Sequence, residues 1–123
     1  MGATIVVLDT NEYRRHNLCQ LLREHRCPSE SLKTLEALKQ RIAENDILAV
    51  IIDIDSVPVD NRTIRNLTVQ NPNIYFFCLS EQRFHPELED AIGCHIYACI
   101  NKPIDPDELF FWIDSIRKEG HNA

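Results

Sequence analysis

Positive charge is scarce in this sequence. Thirteen Lys and Arg face 19 Asp and Glu, which leaves a formal charge of −6 and a pI near 5.3. Direct binding to nucleic acid needs a basic face to neutralise phosphates, so that class of partner is excluded. Long apolar runs are also lacking: none approaches the roughly 20 residues of a membrane span. The start, Met1-Gly2-Ala3-Thr4, carries no basic stretch of a secretory signal. Position 6 is Val6 and not Ser or Thr, so the myristoylation pattern is missing. Of the five cysteines (Cys19, Cys27, Cys78, Cys94, Cys99), no two stand at C-x-x-C spacing. An odd set without metal or redox spacing reads as free thiols used as small buried hydrophobes, which points to the cytoplasm. The histidines (His16, His25, His85, His95, His121) show no ligand spacing and are expected near the surface. There is no repeat, low-complexity stretch or linker.

What is present is an ordinary globular composition, 44% apolar and 26% charged over 123 residues. That length suits one domain, residues 1–123, able to bury roughly 65–70% of its unfolded surface. Short β-branched runs alternate with amphipathic segments, the mark of parallel α/β construction. Thr4 to Leu8 reads as a strand ending at Asp9. Asn11 caps a helix through about Arg23, with Leu18, Leu21 and Leu22 at helical spacing. Ser29 to Lys33 is a weak edge strand. Thr34 caps a second helix with Leu35, Leu38 and Ile42 on one side. Ile47 to Ile52 is a continuous apolar run, as expected of a central strand covered on both faces, and it stops at Asp53. A third helix is expected over about Asn61 to Gln70. A fourth strand runs from Ile74 to Leu79 and closes at Ser80. A short helix follows from Pro86 to Gly93, then a fifth strand from Ile96 to Ile100. The last helix has Asp105 as cap, Pro106 at its first position, Glu108 at the capping-box position and Gly120 just past its end. The fold class is therefore α/β: one doubly wound, five-stranded parallel sheet of order 2-1-3-4-5 with five helices.

In such a sheet the polar residues at the carboxyl ends of the strands share one rim. Here that rim collects Asp9, Asp53, Ser80 and Lys102. Two carboxylates brought together repel, which raises a pKa or attracts a cation. With oxygen donors the natural cation is Mg²⁺, which also accepts phosphate oxygens. A Lys and a hydroxyl beside them suit a phosphoryl group, and the matching chemistry is phosphoryl transfer to a carboxylate.

Over essentially its whole length the sequence resembles the receiver domains of two-component response regulators. The resemblance rests on Ile100-Asn101-Lys102-Pro103-Ile104-Asp105 after the fifth strand and on Ile51-Ile52-Asp53 ending the third. It rests also on Leu79-Ser80 and on Leu8-Asp9-Thr10-Asn11-Glu12, with Arg15, Leu18 and Leu22 in step with the family's first helix. The resemblance implies that Asp53 takes a phosphoryl group from a sensor histidine kinase or phosphotransfer protein. Asp9, Asp53 and Asp55 would hold Mg²⁺, Asp55 through its backbone carbonyl. Lys102 would bind a phosphoryl oxygen and Asp53, Ser80 would swing toward the phosphoryl group, and the Lys102-Pro103 bond would be cis. Output would pass to a downstream protein target, with no catalytic turnover of the chain's own.

The sequence also departs from that family. Thr10 stands where its second acidic residue is expected, which weakens the metal site. Pro58 lies five residues after Asp53 instead of four, so the loop is longer and Asp55 competes for the acceptor role. Cys99 replaces the usual switch aromatic; Tyr97, two residues earlier, is expected on the same strand face. These departures support an alternative, a pseudo-receiver that signals by interaction without phosphorylation. A third reading is an enzyme: Asp53-Ile54-Asp55-Ser56-Val57 fits the D-x-D-x-[TV] motif of haloacid-dehalogenase-like phosphatases, with Asp55 as general acid/base. Against it, the residues after Lys102 form one helix and leave no strand for the further acidic motif that such enzymes need.

On the last helix, taking Leu109 as zero and ~100° per residue, Trp112, Ile113 and Ile116 fall within about 60° of it. Phe110 lies near 100° and Phe111 near 200°, so both are expected off the core, as a partner or homodimer surface. In receivers the fourth helix, fifth strand and fifth helix form the usual signalling face.

Overall fold

The computed structural model describes residues 3–81 and 96–122. Five strands form one parallel sheet: β1 (Thr4–Leu8), β2 (Ser29–Leu32), β3 (Ile47–Asp53), β4 (Tyr75–Ser80) and β5 (Ala98–Asn101). Their order is β2-β1-β3-β4-β5, as expected. Four helices lie among the described residues: α1 (Glu12–Glu24), α2 (Leu35–Ile42), α3 (Asn61–Gln70) and α4 (Pro106–Asn122). The expected helix at Pro86 to Gly93 falls outside the described residues.

Each helix starts where a side chain can satisfy its free amide groups. Asn11 accepts from the Arg14 amide, Thr34 from the Ala37 amide and Asp60 from the Thr63 amide. α1 ends in a left-handed residue, Arg26 at φ 62°. The Arg26 amide donates to the Arg23 carbonyl and the Cys27 amide to the Leu22 carbonyl, closing the last turn. α4 differs from its expected end: it continues through Gly120 to Asn122. Glycine lowers helix propensity by about 1 kcal/mol but does not forbid a helix.

Strand alternation builds two cores. Ile5, Val7, Ala49, Ile51, Phe77, Leu79 and Ile100 point to one face, where Leu18 and Leu22 of α1 and Leu109, Ile113 and Ile116 of α4 cover them. Val6, Leu8, Val50, Ile52, Phe76 and Cys78 point to the other, under Leu38 of α2 and Ile64 and Leu67 of α3. Each fully buried Ile, Leu or Phe contributes about 1.5–3 kcal/mol. A β3 covered on both faces explains its unbroken apolar run. It also forces Asp53, next in line and without solvent exposure, to find partners at the sheet's carboxyl edge.

One expectation fails at β5. The strand begins at Ala98, so period-2 alternation does not reach back to Tyr97. Cys99 packs on the α2–α3 side, whereas Tyr97 packs on the α1–α4 side. There its ring meets Tyr75, Phe77 and Trp112 edge-on at 5.2, 5.5 and 5.8 Å. Tyr97 is therefore a core aromatic on the face opposite Cys99.

Candidate phosphoryl-acceptor site

The strand tips bring Asp9, Asp53, Asp55, Ser80 and Lys102 into one pit. Lys102 follows β5, and its amide donates to the Ser80 carbonyl at 2.9 Å, which holds the turn against β4. The Lys102-Pro103 bond is cis, as the resemblance implied. Lys102 Nζ lies 2.7 Å from both oxygens of Asp53 and 3.2 Å from Asp55 Oδ2. Asp53 Oδ1 also accepts the Asp55 amide at 3.0 Å.

Asp55 is held on a different set of donors. Its Oδ1 accepts from Ser80 Oγ at 3.0 Å and its Oδ2 from the Glu81 amide at 2.8 Å. The loop after β3 is thus tied across to the end of β4. Asp53, at the strand's end, is the deeper of the two carboxylates; Asp55 is partly exposed.

The sequence reading missed Arg14. Its Nε and Nη2 donate to Asp9 Oδ2 and Oδ1, both at 2.9 Å, and the same Nη2 stands 3.2 Å from Asp53 Oδ2. The guanidinium therefore bridges the two carboxylates. Asp9 is held further by the Asn11 amide at 2.9 Å and Ser56 Oγ at 3.2 Å, both to Oδ1. Its backbone carbonyl accepts from Arg15 Nη1 at 2.9 Å. Ser56 is a second residue that the reading passed over; it also accepts the Thr10 amide, while the Thr10 residue itself is exposed. The available signal was Asn11: a cap there starts α1 close above Asp9 and sets Arg14 and Arg15 within its first turns.

Charge and burial pull the carboxylates apart. Burial opposes ionisation of Asp9, but bonds from Arg14 and Asn11 outweigh it and hold its pKa below the ordinary value. Burial dominates at Asp53 and, with the Asp9 charge beside it, keeps the pKa raised despite Lys102. At Asp55 burial is outweighed by the Glu81 amide, Lys102 and Ser80, and the pKa falls. Burial works against the Lys102 charge too, yet Asp53 and Asp55 win and its pKa rises. The pit holds three carboxylates and two cations, and of the three carboxylates Asp53 is the one whose pKa is raised.

Oxygen donors of this kind suit Mg²⁺. The structure tests the fit through a stand-in: Asp9 and Asp53 already converge on one cationic nitrogen of Arg14. Among the described residues no three acidic, His or Cys side chains form a ready-made metal cage. The Asp55 carboxylate is engaged elsewhere, which leaves its backbone carbonyl as the donor from that residue. Beside Arg14, between α1 and the Lys102-Pro103 turn, lies a hollow of about 380 Å³ lined with Leu18, Leu21, Leu79 and Ile104.

Phe110 and Phe111 divide. Phe111 is exposed at 63%. Phe110 is half-buried and stacked on the His25 ring, with centroids 3.9 Å apart and planes within 7°. His25 Nε2 lies 2.9 Å from Asp114 Oδ1, which ties the end of α1 to α4. Phe110 is therefore covered within the molecule and is no open surface; its wheel angle faces the neighbouring helix, not solvent.

No family model matches the chain, and none of the curated proteins matches it. Solved structures do. A signal receiver domain of an HD domain-containing protein from Pseudomonas fluorescens Pf-5 superposes with a TM-score of 0.86 at 21% identity, over 100% of both chains. The chain has the receiver fold. A CheY-like response regulator receiver domain from Methanospirillum hungatei JF-1 gives 0.85 at 14% identity, again over 100% of both chains. One from Clostridium thermocellum gives 0.80 at 20%, over 98% of this chain and 99% of that one. At such identities the likeness is one of receiver architecture, which agrees with the order of the strands and the place of the pit. Among the described residues no helix is long and apolar enough to cross a membrane.

Proposed function

We propose that this chain is a phosphoacceptor receiver module of a two-component system, in which Asp53 takes a phosphoryl group from a histidine kinase or phosphotransfer protein. The observation that carries the reading is the Asp53 carboxylate at the tip of the central strand, with Lys102 Nζ 2.7 Å from both oxygens and Ser80 at the tip of the next strand. In the transfer an Asp53 oxygen forms the new O–P bond. The P–N bond to the donor imidazole breaks, and the imidazole leaves with its electron pair. Lys102 balances charge on the phosphoryl oxygens. Ser80 exchanges its bond to Asp55 for one to the phosphoryl group, which removes one of the two side-chain ties between Asp55 and the end of β4 and leaves that of the Glu81 amide. Asp9, Asp53 and the Asp55 carbonyl would hold Mg²⁺, which when bound supplies charge neutralisation at the phosphoryl oxygens. The changed rim is then read by a downstream protein, in the cytoplasm and without catalytic turnover by the chain itself; sustained release from an aryl phosphate would favour the phosphatase reading instead.

A second reading has its own support. Arg14 already neutralises Asp9 and Asp53, as expected of a pseudo-receiver that signals without phosphorylation. Incubation with Mg²⁺ and a small phosphodonor, followed by intact mass, separates the two. The proposed reading expects one added PO₃ unit, abolished by Asp53→Asn and kept in Asp55→Asn. No gain at saturating donor selects the pseudo-receiver.

A further inference from the structure

We infer that Arg14 occupies the cation position between Asp9 and Asp53, and that a divalent ion enters there only by displacing its guanidinium. The inference rests on the proposed function for its interest in a divalent ion, but its evidence is the geometry of Arg14 alone. Both Asp9 oxygens are taken by the guanidinium fork, and the second arm of that fork also reaches Asp53 Oδ2. A metal binding both carboxylates would need the same inward-facing oxygens. Arg14 and the ion therefore compete for one set of lone pairs.

Two features make the competition reversible. The Asp9 and Asp53 side chains are 3% and 0% exposed, whereas the Arg14 side chain is 44% exposed. The carboxylates are fixed and the guanidinium is hinged on a long side chain at the surface. The hollow beside it, of which Arg14 is one wall, gives the displaced group room without unfolding the first turn of α1. Arg15, next in sequence, is directed differently: it holds the Asp9 backbone carbonyl and not the carboxylate. Its charge sits in the same neighbourhood, but among the described residues it meets no oxygen of the acidic side chains, so it separates local occupancy from general electrostatics. A ligand shifts an equilibrium only by its preference for one state. Here the state preferred by the metal is the one with Arg14 out.

Mg²⁺ alone, titrated calorimetrically into the purified chain, tests this without any phosphodonor. Removing the competitor in Arg14→Ala is expected to tighten Mg²⁺ binding by roughly ten- to a hundredfold, the range set by charge-assisted hydrogen bonds that no longer need breaking. Arg14→Lys, which keeps the charge but loses the fork, falls between. Arg15→Ala, with the same loss of charge, changes the affinity less than about threefold, because Arg15 holds the Asp9 backbone carbonyl and its removal frees no carboxylate oxygen for the ion. Thermal melts give a second readout: Arg14→Ala is stabilised by Mg²⁺ over EDTA by more than the wild type is. Equal Mg²⁺ affinity in wild type and Arg14→Ala, including no binding to either, overturns the inference, and so does an equal gain in Arg15→Ala. Failure of the phosphoacceptor reading looks different: Arg14→Ala binds Mg²⁺ more tightly, yet neither protein gains mass from the donor.

Discussion

Two arginine–carboxylate forks stand at different depths in this molecule. Arg14 grips Asp9 at 2.9 and 2.9 Å; Arg41 grips Glu30 at 2.7 and 3.2 Å. The contact geometry is nearly the same. The surroundings are not: the Asp9 side chain is 3% exposed and has Asp53 behind it, while the Glu30 side chain is 46% exposed on the edge strand β2. In both forks the arginine holds the acid's pKa below its ordinary value. At Glu30 water reaches the carboxylate, although the Arg41 side chain is only 15% exposed, so loss of the acid's charge is expected to cost little there. In the pit the Asp9 and Asp53 carboxylates lack that water, so each depends on its partners, and removal of a cation leaves a carboxylate stranded. Burial and neighbours, not bond length, decide what a fork is worth.

The largest test of that contrast is Lys102→Met. It leaves Asp53 buried with the Asp55 amide and the longer Arg14 contact, and is expected to lower the unfolding free energy by about 3 kcal/mol in urea titrations. Adding Asp53→Asn to it should restore most of the loss, because the stranded charge is gone; a double variant as unstable as the single one would show that Lys102 matters through packing.

Next in size is Asp9→Asn, which removes the charge and one of the two acceptor oxygens of the Arg14 fork and is expected to cost about 1–3 kcal/mol at neutral pH. The Asp9 pKa is lowered in the folded chain, so its contribution is present above the ordinary value of 3.8 and fades as pH falls through the lower folded value. The gap between wild type and Asp9→Asn should therefore close in strong acid, read from urea midpoints along a pH series. Asp53 has the opposite sign. Its raised pKa means that the folded chain takes up that proton first, so acid lowers the strain at Asp53 while removing the benefit at Asp9.

The smallest effect is expected from Glu30→Gln, less than about 1 kcal/mol and weaker still in high salt. A loss there as large as that of Asp9→Asn would erase the distinction between the two depths.

Much of the fold was legible because its signals are local. Asn11 and Thr34 cap helices with their own side chains, and Ile47 to Ile52 cannot avoid burial on both faces. Asp9, Asp53, Ser80 and Lys102 follow from the same logic, since each ends or follows a strand and parallel strands share one carboxyl edge. The misses are of another kind. Tyr97 changes face because β5 starts at Ala98, two residues later than Ile96. Phe110 is covered by His25, a residue far earlier in the chain that only the packing of α1 against α4 brings near. Gly120 does not end α4, since a propensity near 1 kcal/mol is easily overridden.

The order of apolar runs and chain breakers alone determined the parallel sheet, and with it the meeting of three strand tips and one lysine. Which arginine of the adjacent pair Arg14 and Arg15 reaches the carboxylates was decided by tertiary structure. So was the division of labour that gives Asp53 to Lys102 and Asp55 to Ser80 and Glu81. The physical reason is range: burial patterns and caps act over a few residues of one chain segment, whereas the partner of a buried charge depends on the angle and depth at which separate segments come to rest.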